Sequence, residues 1–232
     1  MRVFYCIIII VFFVCFYCEE NAYAVENDLG LWAPIYLELP INKKVESRLE
    51  INTRLQDNVT ALNQLVVRPS IGYNINDKLS LWAGHAWSTY YSDRFLREQR
   101  PWQQILLMNR FGKLLLVNRT RLEERFIQDV EGVSIRGRHS VKGIYSLGNK
   151  QMWELVLANE LFVNLNSHFG GPQAGIDQNR FYTGIARVIN KNVKVETGYQ
   201  LQYINQPSPK MDRLNHAILI SLFITLPQLL KD

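Results

Sequence analysis

The stretch of residues 113–126 constrains the fold of this chain more than any other, because its side chains alternate between two chemistries. One face carries Arg119, Arg121, Glu123 and Arg125, while the opposite face is mainly apolar. A period of two residues is that of a β-strand with two differently solvated sides. In a soluble sandwich the charged side faces water, whereas in a transmembrane barrel the apolar side faces lipid and the charged side a polar lumen.

The N-terminal sequence predicts export. A basic start precedes an apolar block at residues 3–18, and residues 22–24 read Ala-Tyr-Ala, a small-x-small cleavage site. We therefore expect a signal peptide at residues 1–24 and one domain at residues 25–232. The apolar block is shorter than the roughly 20 residues that a spanning helix needs, which favours a cleaved signal over an anchor. All three cysteines lie inside the predicted signal, so the mature chain has neither a disulfide framework nor a thiolate metal site.

The same alternation recurs along the chain and predicts an all-β fold, an antiparallel up-and-down transmembrane β-barrel of ten to twelve strands. Residues 25–43 contain Pro34, and a proline disfavours a central place in a ladder. We expect this segment to be a plug in the lumen, an extra strand or part of a twelve-strand arrangement. Pro69 predicts a bulge or a locally broken ladder. The firm strands form an even set with both ends periplasmic, and we predict them at residues 45–56, 62–75, 79–91, 102–111, 113–126, 133–147, 152–165, 179–189, 193–203 and 213–226.

The connections favour a membrane barrel over a secreted soluble barrel that binds a small ligand. Tight turns at residues 76–77, 112, 148–149 and 190–192 alternate with longer polar loops at 57–61, 92–100, 127–132, 166–178 and 205–212. Short turns at one end and long loops at the other are typical of outer-membrane barrels, with the short set periplasmic. Large aromatic residues near strand ends fit interfacial girdles, namely Tyr73, Trp87, Tyr90, Trp153, Phe181 and Tyr203.

The inward face carries more basic than acidic side chains, among them Lys44 and Lys113 near the turns. One interpretation is structural: arginines and glutamates on adjacent strands pair and fill a narrow barrel. A compatible interpretation is functional: the positive excess makes a narrow channel that attracts anions. We expect a filled barrel with little conductance. The predicted charge ladder of the lumen consists of Arg119, Arg121, Glu123, Arg125, Arg136, Arg138, Glu154, Glu160, Arg180 and Glu196.

No catalytic constellation is visible, and we predict neither enzyme activity nor a cofactor or metal site. None of the four histidines has a second histidine at ligand spacing, and His139 and Ser140 point to opposite faces of their strand. A hydrolase site for lipid or peptide, assembled across strands from His216, Ser221 or Asp177, is the alternative. The net charge of +5 does not predict nucleic-acid binding, because the basic residues are enclosed and the aromatic residues face lipid.

Several short motifs follow one another in a set order: Arg119-x-Arg121-Leu122-Glu123-x-Arg125, Arg136-x-Arg138, Glu160-x-Phe162, Gln178-Asn179-Arg180 and Glu196-x-Gly198-Tyr199. This order resembles the bacterial family labelled domain of unknown function 2490, which is regarded as outer-membrane β-barrels without an assigned activity. The resemblance implies a location in the outer membrane of a Gram-negative bacterium and carries no catalytic residue over. It implies outer-membrane lipid and the barrel insertion machinery as partners, with Phe223 as the aromatic residue near the C-terminus. The sequence predicts no oligomeric state.

Overall fold

The computed structural model of the protein describes residues 26–91, 95–148, 152–206 and 211–230, and the predicted signal peptide at residues 1–24 lies outside this part of the chain. No helix of the described residues is long and apolar enough to cross a membrane. The described ranges form eleven strands: β1 (Glu26–Pro40), β2 (Val45–Gln56), β3 (Ala61–Asn74), β4 (Leu79–Tyr91), β5 (Phe95–Phe111), β6 (Leu114–Ile127), β7 (Ser134–Leu147), β8 (Trp153–Asn164), β9 (Gly175–Val188), β10 (Val193–Ile204) and β11 (Arg213–Thr225).

These strands close into a single barrel in which each strand pairs with its neighbours in the sequence, and β1 pairs with β11. The all-β barrel fold predicted from the sequence is confirmed, and its eleven strands fall within the predicted ten to twelve, one more than the even set of ten. Neighbours in sequence run antiparallel, so an odd number of strands makes the first and the last run in the same direction, and β1 and β11 pair in parallel. The first residue of β1 and the last residue of β11 therefore lie at opposite ends of the barrel, whereas an even count would place both at one end.

The additional strand is β1, which the sequence left open as a strand or a plug because of Pro34. Its pairing with β11 is interrupted between Trp32, opposite Leu219, and Ile35, opposite Leu222. The proline lies in this gap and needs no N–H donor there. The pairing with β2 continues through Pro34, opposite Asn52. β1 thus accommodates a proline inside a closed barrel, because the ladder on one side of the strand is interrupted there while the ladder on the other side continues.

Pro69 and Pro101 also lie where the ladder on one side of their strand is interrupted. The β3–β4 ladder is broken between Val67 and Ser70, which confirms the locally broken ladder predicted at Pro69. Around Pro101 the β5–β6 ladder skips two residues, while the β4–β5 ladder continues. The sequence predicted a loop at residues 92–100, but β5 begins at Phe95. This part of β5 has polar residues on both faces, so it shows no contrast of hydrophobicity by which alternation could be recognised.

The two faces of the barrel differ in chemistry along its whole circumference. The outer face exposes large apolar side chains, with Ile71, Ile105 and Leu157 about half exposed. The inner face combines buried charges with large aromatic rings, and Trp82 and Trp102 are almost fully buried there. The prediction that the aromatic residues face lipid is therefore wrong for the inward set, which includes Trp32, Tyr36, Tyr90, Phe162 and Tyr182.

Two glycines make room for the inward indoles. A Cβ atom on Gly72 would overlap the Trp82 ring, and one on Gly84 would overlap the Trp102 ring. Both glycines are inward-facing positions on neighbouring strands, β3 and β4, so each ring lies flat against the backbone of the strand next to its own. This arrangement keeps the rings along the wall and leaves space toward the barrel axis.

Candidate functional site in the charged lumen

The lumen contains a cavity of about 1450 Å³ that extends from the loop end of the barrel to the turn end. Asp57 and Asn58 line it at the loop end, and residues 190–192 line it at the turn end. All strands contribute inward side chains to its wall. The cavity is therefore the concave feature of the described chain in which a ligand or an ion could lie.

Glu123 is the centre of the most buried charges. It is 1% exposed and accepts hydrogen bonds from Arg136 at 2.7 Å and from Arg138. Arg136 lies directly across the β6–β7 ladder from Glu123, so the strand register itself brings the two charges together. Arg136 also donates to Asp177 of β9 at 3.0 Å.

Glu160 extends this cluster toward the middle of the lumen. Its Oε1 atom accepts from Arg119 at 2.6 Å and from Arg138 at 2.8 Å. Arg138 thereby joins Glu160 to Glu123. The result is one continuous chain of alternating charges across β6, β7, β8 and β9, which satisfies the requirement that desolvated charges be paired.

A second buried carboxylate, Glu98, has its own arginine partners. Arg100 and Arg125 each donate to it at 2.6 Å, and the Tyr90 hydroxyl donates at 3.1 Å. Sequence reasoning missed Glu98 and Arg100 because both fall in the region that was predicted to be a loop. We call Glu98, Glu123, Glu160, Asp177 and their arginine partners the buried network; it occupies the loop-end half of the lumen on the side of β5 to β9.

The turn-end half of the lumen holds separate ion pairs whose cationic side chains are about 30% exposed. We call them the turn-end pairs: Arg48 with Glu38 at 2.9 Å, Lys142 with Glu196 at 3.0 Å and Lys194 with Glu154 at 3.4 Å. Phe223, expected as the C-terminal aromatic signal, faces the lumen here and stacks on Tyr36 at 4.7 Å between ring centroids. Its ring lies 5.0 Å from the Lys194 ammonium.

Arginine side chains also stack on the inward aromatic rings. Arg121 lies 3.9 Å from the centroid of Trp102 and donates two hydrogen bonds to Gln104. Arg54 lies 3.9 Å from the centroid of Trp32, and Arg180 lies 5.0 Å from the same centroid. Arg121 also forms an ion pair with Glu123 at 3.7 Å. Guanidinium stacking on indole offsets part of the loss of water around a cation, which helps Arg54 and Arg180 to tolerate burial without an ion pair among the described residues.

The structure brings the ten residues of the predicted charge ladder to the inner face and distributes them unevenly. Seven belong to the buried network: Arg119, Arg121, Glu123, Arg125, Arg136, Arg138 and Glu160. Glu154 and Glu196 belong to the turn-end pairs, and Arg180 lies on aromatic rings. Lys44 and Lys113, predicted to face inward, are exposed in turns. With Glu38, Glu98 and Asp177 added to the acidic side, the positive excess of the lumen is smaller than the sequence indicated.

The residues of the alternative hydrolase site do not come together. On β11, Ser221 is 4% exposed on the inner face, whereas His216 is on the outer face and shares a 2.6 Å hydrogen bond with Tyr199. Asp177 reaches the lumen through an irregularity in the β8–β9 register and is used by Arg136. Among the described residues no group of three or more His, Cys, Asp or Glu side chains is placed to hold a metal ion.

Comparison with known proteins agrees with the motif order noted in the sequence. The family model described as "Protein of unknown function (DUF2490)" matches residues 29–215, from β1 into β11. An uncharacterised protein of Methylorubrum extorquens is 29% identical over 184 residues, which cover 75% of this chain and 78% of that protein. No solved structure matches.

Proposed function

The chain belongs to the family of unknown function DUF2490, and we propose that it is an outer-membrane β-barrel protein whose narrow lumen attracts anions. The single observation that carries the proposal is the combination of an apolar outer face with a charged inner face around one closed ladder. A closed barrel leaves no unpaired strand edge, which is the condition for a β-structure to lie in lipid.

The distribution of outward charges supports a membrane location. Among the described strands, Arg97, Glu124 and Arg187 are outward charges, and each lies within four residues of a strand end. Between them the outer face of the described strands is mainly apolar, with a few neutral polar pairs such as Thr120 with His139 and Asn159 with Asn179. Tyr73, Trp87 and Trp153 are exposed near its margins. A charge near the interface costs about 0–1 kcal/mol, compared with about 2–4 kcal/mol at the bilayer midplane. Tyr90, predicted to belong to the girdle, is instead an inward residue bonded to Glu98.

The connections support an orientation. The connections at the turn end join β1 to β2, β3 to β4, β5 to β6, β7 to β8 and β9 to β10, and each has two to five residues. The longer segments 128–133, 165–174 and 205–212 lie at the other end, together with the short connections from β2 to β3 and from β4 to β5. If the tight turns are periplasmic, as in other barrels of this type, the buried network lies toward the cell surface. The first residue of β1 is then on that side as well.

The lumen supports a channel that is narrow and prefers anions. Its cavity reaches both ends of the barrel, but the buried network narrows the loop-end half. The carboxylates of the buried network and of the turn-end pairs, together with Glu50, are used by arginine and lysine partners, while Arg54 and Arg180 have no carboxylate partner among the described residues. A positive potential inside a wall of low dielectric constant raises the local concentration of anions.

Location is tested by fractionation of cells that express the full chain. We expect the protein in the outer-membrane fraction, with a shift in electrophoretic mobility between unboiled and boiled samples, because detergent has no strand edge at which to open the barrel. Leu157→Arg and Ile220→Arg place a charge on the outer face near the middle of β8 and β11, and should prevent assembly. Phe126→Arg, near the end of β6, is the matched control that should assemble. Recovery of wild-type protein in a soluble fraction would exclude the proposal.

Transport is tested with purified protein in a planar bilayer under a potassium chloride gradient. We expect small currents whose reversal potential shows preference for chloride, and a loss of this preference as salt screens the lumen charges. Bilayers without protein are the control. A current that prefers potassium would contradict the proposal, because the guanidinium groups of Arg54 and Arg180 have no carboxylate partner among the described residues.

A further inference from the structure

Arg54 and Arg180 differ from Arg48, Arg68 and the arginines of the buried network because neither forms an ion pair with a carboxylate of the described residues. They come from β2 and β9, on the two sides of β1, and both approach the Trp32 ring, at 3.9 and 5.0 Å. Two guanidinium ions thus lie beside one indole without a carboxylate of their own. Like charges in a desolvated setting repel, so this arrangement favours a counter-ion.

The nearby acidic groups are already used. Glu50 receives Arg68, and Glu160 receives both Arg119 and Arg138. Arg54 and Arg180 donate instead to neutral amides, to Gln64 at 2.8 Å and to Gln178 at 3.0 Å. An amide oxygen satisfies one donor of a guanidinium group but does not neutralise its charge.

Both arginines retain donors that no side chain uses. The Nε atoms of Arg54 and Arg180 are buried and have no hydrogen-bond partner among the described residues. A guanidinium group pairs best with a carboxylate or phosphate, which accepts two parallel hydrogen bonds. The two side chains also line the same cavity of about 1450 Å³, which is large enough for a small organic molecule.

We infer that the part of the lumen around Arg54, Trp32 and Arg180 is a binding site for a small soluble molecule that carries two or more carboxylate or phosphate groups. Two separate cationic groups match two anionic groups better than they match a single chloride ion. The Trp32 ring, which both guanidinium groups approach, supplies an apolar contact for the carbon skeleton of such a ligand. This inference rests on the proposed function for the anion preference of the lumen and adds to it a fixed site and a class of ligand.

Isothermal titration calorimetry of the folded full-length protein in a neutral detergent tests the site. The probes are citrate and pyrophosphate, and sodium chloride keeps the ionic strength constant. We expect saturable binding of at least one probe. Arg54→Gln and Arg180→Gln should each weaken it by about tenfold or more, since each removes a charge-assisted contact, and the double variant should abolish it.

Arg187→Gln is the matched control. Arg187 also lies beside an indole, 5.0 Å from the Trp153 centroid, but on the outer face of the barrel. Its substitution should leave the binding constant unchanged. Circular dichroism and the heat-dependent mobility shift establish that each variant is folded. Because Arg54 and Arg180 have no carboxylate partner to leave unpaired, their glutamine variants should retain the barrel.

The outcomes separate this inference from the proposed function. A wild-type protein that binds neither probe, or a double variant that binds as tightly as the wild type, overturns the inference. Equal weakening by Arg187→Gln would also overturn it, because it would indicate attraction by net charge and no defined site. Bilayer currents and membrane fractionation are measured without the probes, so anion-selective current in a protein that binds no probe would exclude the site alone. Probe binding by a protein found in a soluble fraction would exclude the membrane proposal alone.

Discussion

The two halves of the lumen use the same kinds of charge in different environments. In the loop-end half, the side chains of Glu123 and Arg136 are 1% and 4% exposed, and the buried network links several carboxylates through shared arginines. In the turn-end half, Lys142 and Lys194 are 28% and 27% exposed, and each belongs to a simple pair. Ion pairs therefore have two different roles in the two halves of this lumen.

In the buried network, the barrel can enclose the desolvated charges only because they are paired. Removing one partner there leaves a desolvated charge, which is strongly unfavourable. At the turn end, water reaches the cationic partner and screens it, so the pairs contribute little to stability and instead set the local potential. Substitutions matched between the two halves therefore measure how dry each half is.

The largest effect is expected for Glu123→Gln in the buried network. The substitution keeps the shape of the side chain but removes the charge that Arg136 and Arg138 share. We expect the free energy of unfolding to fall by about 3–5 kcal/mol, the range for breaking a buried pair. Denaturant titration of the protein in lipid vesicles, followed by tryptophan fluorescence, measures it. A loss below about 1 kcal/mol would mean that water reaches Glu123.

Glu160→Ala should have a smaller effect, about 3 kcal/mol, at the lower end of the same range. Arg138 keeps Glu123 as a partner after this substitution, and Arg119, whose side chain is 30% exposed, can be hydrated. The same titration measures the change. If Glu160→Ala were as destabilising as Glu123→Gln, the middle of the lumen would be as dry as the loop-end half.

The smallest effect is expected for Glu154→Gln at the turn end. Its partner Lys194 is 3.4 Å away and partly exposed, so the free energy of unfolding should change by only about 0–1 kcal/mol. The bilayer current is the more sensitive measurement, because the substitution removes a negative charge from the cavity wall and should increase the preference for anions. A change of about 3 kcal/mol or more would remove the distinction between the two halves.

Much of the barrel could be predicted from the sequence because facing in a strand is a local property. On β10 apolar and polar residues alternate along most of the strand, and on β6 the charged residues at 119, 121, 123 and 125 share one face, so the inward set of each strand follows from a period of two. The same reasoning failed for the first part of β5, where both faces are polar, and it could not place Glu98 or Arg100. Similarly, Pro34 prevented β1 from being recognised as a strand. The local rule that proline disfavours a central strand does not show that the ladder on one side of a strand can be interrupted while the other continues.

The sequence by itself determined the all-β class, the inward or outward facing of most strands and the identity of most of the charges that enter the lumen. Only the tertiary structure decided the odd strand count, the partner of each arginine and the difference between the two halves. Arg136 meets Asp177, and Arg180 meets Trp32, because of barrel closure, register and the irregularity in β9. Alternation depends on neighbouring residues, whereas pairing across a lumen depends on where distant strands lie after the ladder closes, and no local pattern contains that information.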